Sequence, residues 1–312
     1  MIRFDEQAVV VTGAGRGLGR LYAIEFARRG ASVVVNDLGG SVDGAGADRA
    51  GADQVVGEIA AEGGSAVASY DSVETADGGK AIVDCALEHF GRIDAVVSNA
   101  GIFSTPRFED LTPDEWRRML RVHLDGAFHL SQPAFRVMKD QGYGRFVFIT
   151  SSAGLFGQPN SAHYAAAKAG TVGLANVIAI EGEPYGVMAN TVLPFGYSRM
   201  VTSTLGEEEA EALREASGFM GAIEPELVVP IVVFLANRSC EFTHRNYSAC
   251  AGRFARVFIG LGDGWIAPAG SKPTADDIEA HLPEVSATEP FIVPASIFDE
   301  VADTCERLGI TA

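Results

Sequence analysis

Cysteine is scarce in this chain of 312 residues, and the four present (Cys85, Cys240, Cys250, Cys305) have no C-x-x-C spacing. The scatter excludes a disulfide framework and offers no zinc site; it fits buried or idle thiols in a reducing compartment. His89, His129, His163, His244 and His281 also lack metal-ligand spacing, so no metal is expected. Basic charge is short as well: 24 Lys and Arg stand against 41 Asp and Glu, a formal net charge of −17. That balance excludes a general binder of nucleic acid or of membrane surfaces, both polyanions, yet leaves room for a small anion on a local basic cluster. Long apolar runs are missing too. The longest, at 228–236, is broken by Pro230 and is too short to span a bilayer. The first residues lack the basic-then-apolar pattern of a signal peptide, and Gly309-Ile310-Thr311-Ala312 is not a peroxisomal address. By elimination, a soluble cytoplasmic protein is expected.

What the chain does have is apolar material for a sizeable core, 47% of its residues, laid out as alternating strands and helices. Ala8-Val9-Val10-Val11-Thr12 and Ser32-Val33-Val34-Val35-Asn36-Asp37 read as strands buried on both faces. The helix-spaced segment between them closes at Gly30, which makes a β-α-β unit with a right-handed crossover. Residues 38–50 form a glycine-rich insertion, read as a loop. Further strands are expected at 65–70, 93–98, 145–150 and 188–193, with a candidate seventh at 256–259. Thr112-Pro113-Asp114-Glu115 opens a long helix, kinked near Gly126 and ending about Met138. Other helices are expected at 207–216 and 224–235. The expected fold is α/β: a doubly wound, seven-stranded parallel sheet of the Rossmann-like kind, one domain over residues 1–267. From Pro268 the composition shifts to Pro, Thr, Asp and Glu, read as a C-terminal arm (268–312) with one short helix near 298–308.

Thr12-Gly13-Ala14-Gly15-Arg16-Gly17-Leu18-Gly19 lies between the first strand and the first helix, with the spacing T-G-x-x-x-G-x-G. Glycines there let backbone approach a pyrophosphate at a helix N-terminus, so Gly13, Arg16, Gly17, Leu18 and Gly19 are expected around a dinucleotide. Asp37 ends the second strand, where an acid accepts the ribose hydroxyls and repels a 2′-phosphate; this favours NAD, although Arg16 pulls slightly toward NADP. Asp71-Ser72 and Asn99-Ala100-Gly101 follow strands three and four, at carboxyl ends where such sheets bind ligands, and are expected to line the adenine and ribose pocket. His123, in the long helix, reads as structural, and Ser198-Arg199-Met200 as an exposed loop or lid.

The stretch from Ser151 to Lys168 carries the chemistry. Tyr164 and Lys168 are four apart and share a helix face, where an ammonium would favour the phenolate. Ser151, at a strand end, would hold a substrate oxygen against that phenol. Together they form a proton-transfer device for a carbonyl/alcohol pair.

These motifs resemble the short-chain dehydrogenase/reductase family from about Phe4 to Trp265: T-G-x-x-x-G-x-G, Asn99-Ala100-Gly101, and Y-x-x-x-K with a serine thirteen residues before the tyrosine. The resemblance implies that Tyr164 is the general acid/base, that Lys168 binds the nicotinamide ribose and lowers the phenol's pKa, and that Ser151 orients the substrate. It also implies a homodimer or homotetramer. Val33–Gly40, Tyr70-Asp71-Ser72-Val73-Glu74, Arg121-Val122-His123-Leu124, Gly262-Asp263-Gly264-Trp265 and the insertion after Asp37 look like the (3R)-hydroxyacyl-CoA dehydrogenase domain of peroxisomal multifunctional enzymes. That subgroup oxidises (3R)-3-hydroxyacyl-CoA with NAD, and some members accept hydroxysteroids; the hydratase and sterol-carrier domains are not seen here, as in a stand-alone relative. It shares His123 where the wider family has Asn in a water relay. Pro194-Phe195-Gly196 departs from the family's usual Pro-Gly, and the tail after Pro268 exceeds the family pattern.

The expected activity is NAD-dependent interconversion of a secondary alcohol and a ketone, with an acyl-CoA, a steroid or a steroid-CoA as substrate. A CoA substrate would call on local cations, with Arg199, Arg245, Arg253 and Lys272 as candidates. The rival from another class is a dinucleotide-binding sensor or scaffold, against which the intact Ser151/Tyr164/Lys168 set argues.

Overall fold

The computed structural model describes residues 1–196 and 207–311. They divide into two compact units, Met1–Arg256 and Val257–Ala312. The composition shift at Pro268 lies inside the second unit.

In the first unit, β1 (Ala8–Thr12) leads into α1 (Gly17–Arg28), then β2 (Ser32–Asn36), α2 (Ala50–Ala61), β3 (Ser65–Ser69), α3 (Ala76–Phe90) and β4 (Ala95–Ser98). Helix α4 (Pro113–Leu120) starts on a capping box between Thr112 and Glu115. It passes through a π-helical turn, Arg121–Asp125, into α5 (Gly126–Gln141). Then come β5 (Gly144–Ile149), α6 (Ser152–Phe156), α7 (Ala162–Gly182) and β6 (Val187–Phe195). The expected kink near Gly126 is thus one turn earlier and is a widening of the helix, with the Gly126 N–H bonded back to Arg121 O.

Strands β1 to β7 (Arg245–Cys250) are parallel, in the order 3-2-1-4-5-6-7. An eighth, β8 (Arg253–Val257), adds to β7 at the edge. Two residues with positive φ, Ala251 (49°) and Gly252 (76°), join them, and a two-residue link can only make an antiparallel hairpin. The sheet therefore has eight strands where seven were expected. The seventh is at Arg245–Cys250, and the apolar stretch expected at 256–259 begins only at the end of the eighth. Arg-Asn-Tyr-Ser-Ala-Cys carries too few branched residues to read as a strand; pairing with β6 makes it one.

Alternation along β1 shows how the layers form. Val9 and Val11 enter a core with Tyr22, Phe26, Val55 and Leu235, on the α1/α2 side. Val10 enters the other core with Ile82, Leu130, Phe146 and Ala175, on the α3/α5/α7 side. The order of strands reverses between β1 and β4, which opens a crevice at their carboxyl ends.

The second unit holds more structure than the single helix expected. Leu261–Gly262 pairs antiparallel with Phe291–Ile292. Helices run over Ala275–Ala280, Leu282–Val285 and Ile297–Leu308. The first two have six and four residues, too few to show a helical period, although Thr274 and Asp277 form a capping box. Trp265 stacks on His281, and Arg307 binds both Asp263 and Asp303.

Candidate active site

The crevice is a cleft of about 1020 Å³, lined by the glycine loop, Asp37, Asp71, Ser72, Asn99, Ala100, Gly101, His123, Ser151, Tyr164 and Lys168. Every residue singled out in the sequence as catalytic or cofactor-binding therefore borders one cavity. Four of the relevant positions are glycines for steric reasons. A Cβ on Gly19 would lie 2.1 Å from Gly13 O, and one on Gly13 2.9 Å from Ala100 Cα; Gly15 would meet Asp37 Oδ2 at 2.8 Å, and Gly17 has φ +53°. A loop with no side chains against its neighbours is a cradle for a dinucleotide pyrophosphate, and the residues present fit that group.

Residues at the carboxyl ends of β1 to β4 hold the cradle from behind. Thr12 Oγ1 accepts from the N–H groups of Asn99 and Ala100, both at 3.1 Å. Asn99 Nδ2 donates to Thr12 O (2.9 Å) and Gly13 O (3.2 Å). Asp37 accepts the Gly15 N–H at Oδ2 (2.7 Å) and the Gly39 N–H at Oδ1 (2.6 Å). Asp71 O accepts from Asn36 Nδ2 at 3.0 Å, and Ser72 Oγ from the Glu74 N–H at 3.2 Å. Arg16 is exposed, 4.0 Å from Asp48.

At the other end stands Tyr164, brought in by α7. Ser151, the N-cap of α6, accepts the Ala153 N–H at 3.1 Å. Lys168 is buried; its Nζ donates to Ile149 O at 2.6 Å and lies 5.7 Å from the Tyr164 ring centroid. Burial pulls its pKa down to about 7. Burial also pushes the Tyr164 phenol up, with the Ser151 hydroxyl drawing it partly back. Four-residue spacing predicts a phenol acidified by an ammonium; in this structure burial is the larger influence on the phenol and Ser151 the opposing one.

Three features escaped the sequence. The π-helical turn aims His123 at the loop after β4, where Nε2 lies 2.8 Å from Ile102 O and 3.1 Å from Ile102 N. A Cβ on Gly101 would come within 2.4 Å of the His123 ring, so that glycine is needed for the approach. Burial, and the nearby Lys168, hold His123 well below its ordinary pKa, and its Nδ1 has no partner. His163, to which sequence assigned nothing, is buried with Nε2 2.9 Å from Ser104 Oγ. Phe103 and His123 both pack perpendicular to Tyr164, each with centroids 5.2 Å away.

Of the cations considered for a CoA substrate, Arg245 opens β7 and so sits at the amino end of a parallel strand, away from the cleft. Arg253 opens β8 and is exposed; Lys272 is in the second unit; Ser198, Arg199 and Met200 lie outside the described residues. Among the described residues, Arg16 and Lys168 are the Lys and Arg side chains that line the cleft. No group of three or more His, Cys, Asp or Glu among the described residues is placed to hold a metal, and none of their helices is long and apolar enough to cross a membrane.

The short chain dehydrogenase family model matches residues 7–210. A Mycobacterium tuberculosis protein carrying the name short-chain type dehydrogenase/reductase is 42% identical over 282 residues, 90% of this chain and 94% of that one. The mouse peroxisomal multifunctional enzyme type 2 is 46% identical over 256 residues, which cover 82% of this chain and 33% of the enzyme. The full-length structure of the Drosophila melanogaster enzyme of that name superposes with a TM-score of 0.79 at 31% identity, over 99% of this chain and 50% of that one. This chain thus spans a third of the mouse enzyme and half of the fly chain. It belongs to the short-chain dehydrogenase family, as an oxidoreductase that acts on CH–OH with a nicotinamide dinucleotide.

Proposed function

We propose that this chain is an NAD-dependent dehydrogenase that converts (3R)-3-hydroxyacyl-CoA to 3-oxoacyl-CoA. The observation that carries the reading is the convergence of Ser151, Tyr164 and Lys168 on the cleft that the glycine loop and Asp37 border. The substrate class comes from the likeness to peroxisomal multifunctional enzymes.

A bound dinucleotide would supply the acceptor for the hydride of the carbinol carbon. Gly13, Arg16, Gly17, Leu18, Gly19, Asp37, Asp71, Ser72, Asn99, Ala100 and Gly101 would hold it. Asp37 keeps free lone pairs for ribose hydroxyls, and its charge opposes a 2′-phosphate, which selects NAD. The Ser151 hydroxyl orients the substrate oxygen, and the Tyr164 oxygen takes its proton. Lys168, anchored on Ile149 O, holds the nicotinamide ribose beside the phenol. Phe103, Phe156, Phe195, Phe219 and Met220 line the remaining cleft and give its substrate end an apolar wall.

That same apolar lining, with so few cations, favours a second reading in which the substrate is a hydroxysteroid. One assay separates them: both enantiomers of a 3-hydroxyacyl-CoA against a hydroxysteroid, each with NAD and NADP. The (3R) thioester with NAD is expected to dominate, with a KM that rises with salt. Faster steroid turnover, or a salt-independent KM, transfers the assignment to the steroid; no turnover of any substrate returns the chain to a binding role.

A further inference from the structure

We propose that Phe103 is a positioning residue for Tyr164, and that the strap of residues 38–49, at the dinucleotide end of the cleft, sets the phenol's orientation through it. The inference rests on the reading of Tyr164 as the proton-transfer group.

Three consecutive residues after β4 are tethered from three different places. His123 Nε2 lies 2.8 Å from Ile102 O and 3.1 Å from Ile102 N, so it tethers that backbone as donor to the carbonyl or as acceptor from the N–H, one at a time. The Phe103 N–H donates to Val42 O, in the strap, at 3.0 Å. Ser104 Oγ is 2.9 Å from Nε2 of His163, the residue before Tyr164. Between these tethers the Phe103 ring meets the Tyr164 ring at 87°, and the His123 ring meets it at 90°. Two perpendicular rings, each fixed through its own loop or turn, leave the phenol little freedom to swing. Proton transfer is sensitive to such displacement, because the donor and acceptor must be in hydrogen-bond reach.

The strap is itself braced. Its base closes through the Asp48 N–H to Leu38 O at 3.0 Å, and its tip through the Ser41 N–H to Ala45 O at 2.9 Å. Asp37 joins it to the glycine loop, with Gly39 N–H on one oxygen and Gly15 N–H on the other. Gly44 touches the tethered segment so closely that a Cβ would fall 2.8 Å from Ile102 Cγ2. One line of contacts therefore runs from glycine loop to Asp37, strap, Phe103 and phenol.

The test is a double-mutant cycle on the full chain with Phe103→Leu and Gly44→Val, flanked by Phe103→Tyr and Tyr164→Phe. Phe103→Leu is expected to lower kcat about tenfold to a hundredfold while the dinucleotide KM stays within about twofold, and Phe103→Tyr to restore most of it. Gly44→Val, which adds the strain of a φ of +82° to the push on Ile102, should lower kcat beside Phe103 and lower it less beside Leu; Gly44→Ala, with the same φ strain and a smaller side chain, replaces it should Val not fold. Ultraviolet titration without cofactor, as the difference from Tyr164→Phe, should show the phenol's titration displaced in Phe103→Leu. Unchanged kcat and titration in Phe103→Leu, or additive losses in the cycle, would overturn the proposal. Turnover surviving in Tyr164→Phe sinks the reading of Tyr164 instead, and the titration still decides whether Phe103 holds the phenol.

Discussion

The two ends of the cleft are built from opposite materials. At the dinucleotide end the contacts are backbone: Gly13, Gly15 and Gly19 leave no room for a carbon, and Asp37 accepts one N–H on each oxygen, from Gly15 and Gly39. At the proton-transfer end the contacts are side chains whose ordinary titration burial has displaced, Tyr164 upward and Lys168 downward. Binding here depends on what is missing, and chemistry on groups kept in an environment that disfavours their charge. Substitutions should therefore fail differently at the two ends.

The sharpest separation is Tyr164→Phe, which removes one oxygen. Turnover should fall by about a thousandfold or more, within the range for loss of a general acid/base. Dinucleotide affinity, read by fluorescence titration, should hold. An equal loss of affinity would mean that the two ends are not separable.

Gly19→Ala makes the converse change, adding one carbon at the dinucleotide end. That carbon would be 2.1 Å from Gly13 O, a backbone atom that cannot rotate aside. Overpacking of this kind costs about 1–3 kcal/mol, so a lower melting temperature and about fivefold to hundredfold weaker dinucleotide binding are expected. Gly17→Ala meets nothing within 4 Å and has only its φ of +53° against it, so its cost should be smaller. If Gly17→Ala proves the worse of the two, backbone strain and not close approach governs the loop.

These contrasts also explain what the sequence made legible. The glycine spacing, the alternating strands and the Y-x-x-x-K pair are local patterns, and a Cβ collision leaves its mark in the sequence as a glycine. The site beyond them is not local. His163 and Ser104 are 59 residues apart, and Val42 reaches Phe103 from an insertion without any period. The π-helical turn at Arg121–Asp125 is indistinguishable in sequence from the helix around it. Tyr164 and Lys168 were correctly paired, but the sign of the phenol's shift depends on burial, which four-residue spacing cannot report. Likewise Arg245–Cys250 lacks strand propensity and is a strand because β6 is beside it.

A smaller effect sharpens the electrostatic side of the comparison. The Lys168 amine titrates at about 7 in the folded protein against an ordinary 10.5. Below the lower value it is charged whether folded or not, and the burial cost is full. Between the two values the unfolded chain binds a proton that the folded one does not, so stability rises with pH. The wild type should thus gain about 2–3 kcal/mol between about pH 6 and about pH 9 relative to Lys168→Met, measured by denaturant midpoints. A gap that is flat with pH would show that water reaches the amine.

The mildest test returns to the dinucleotide end, where one charge stands among backbone groups. Asp37→Asn keeps the shape and removes the anion. Its carboxylate accepts two backbone N–H bonds, from Gly15 and Gly39, and a hydrogen bond to a charged acceptor contributes about 1.5–3 kcal/mol. The amide can still accept one of them through its oxygen, but its NH₂ would face the other N–H, so the strap or the glycine loop must give slightly. Binding of NAD should weaken about tenfold, while NADP, relieved of a facing negative charge, should weaken less or improve. The ratio of kcat/KM for the two cofactors is the measurement, because it cancels any general loss of folded enzyme. A ratio that does not move would mean that Asp37 acts only as a brace between two loops, and that cofactor choice lies with Arg16 or with groups beyond it.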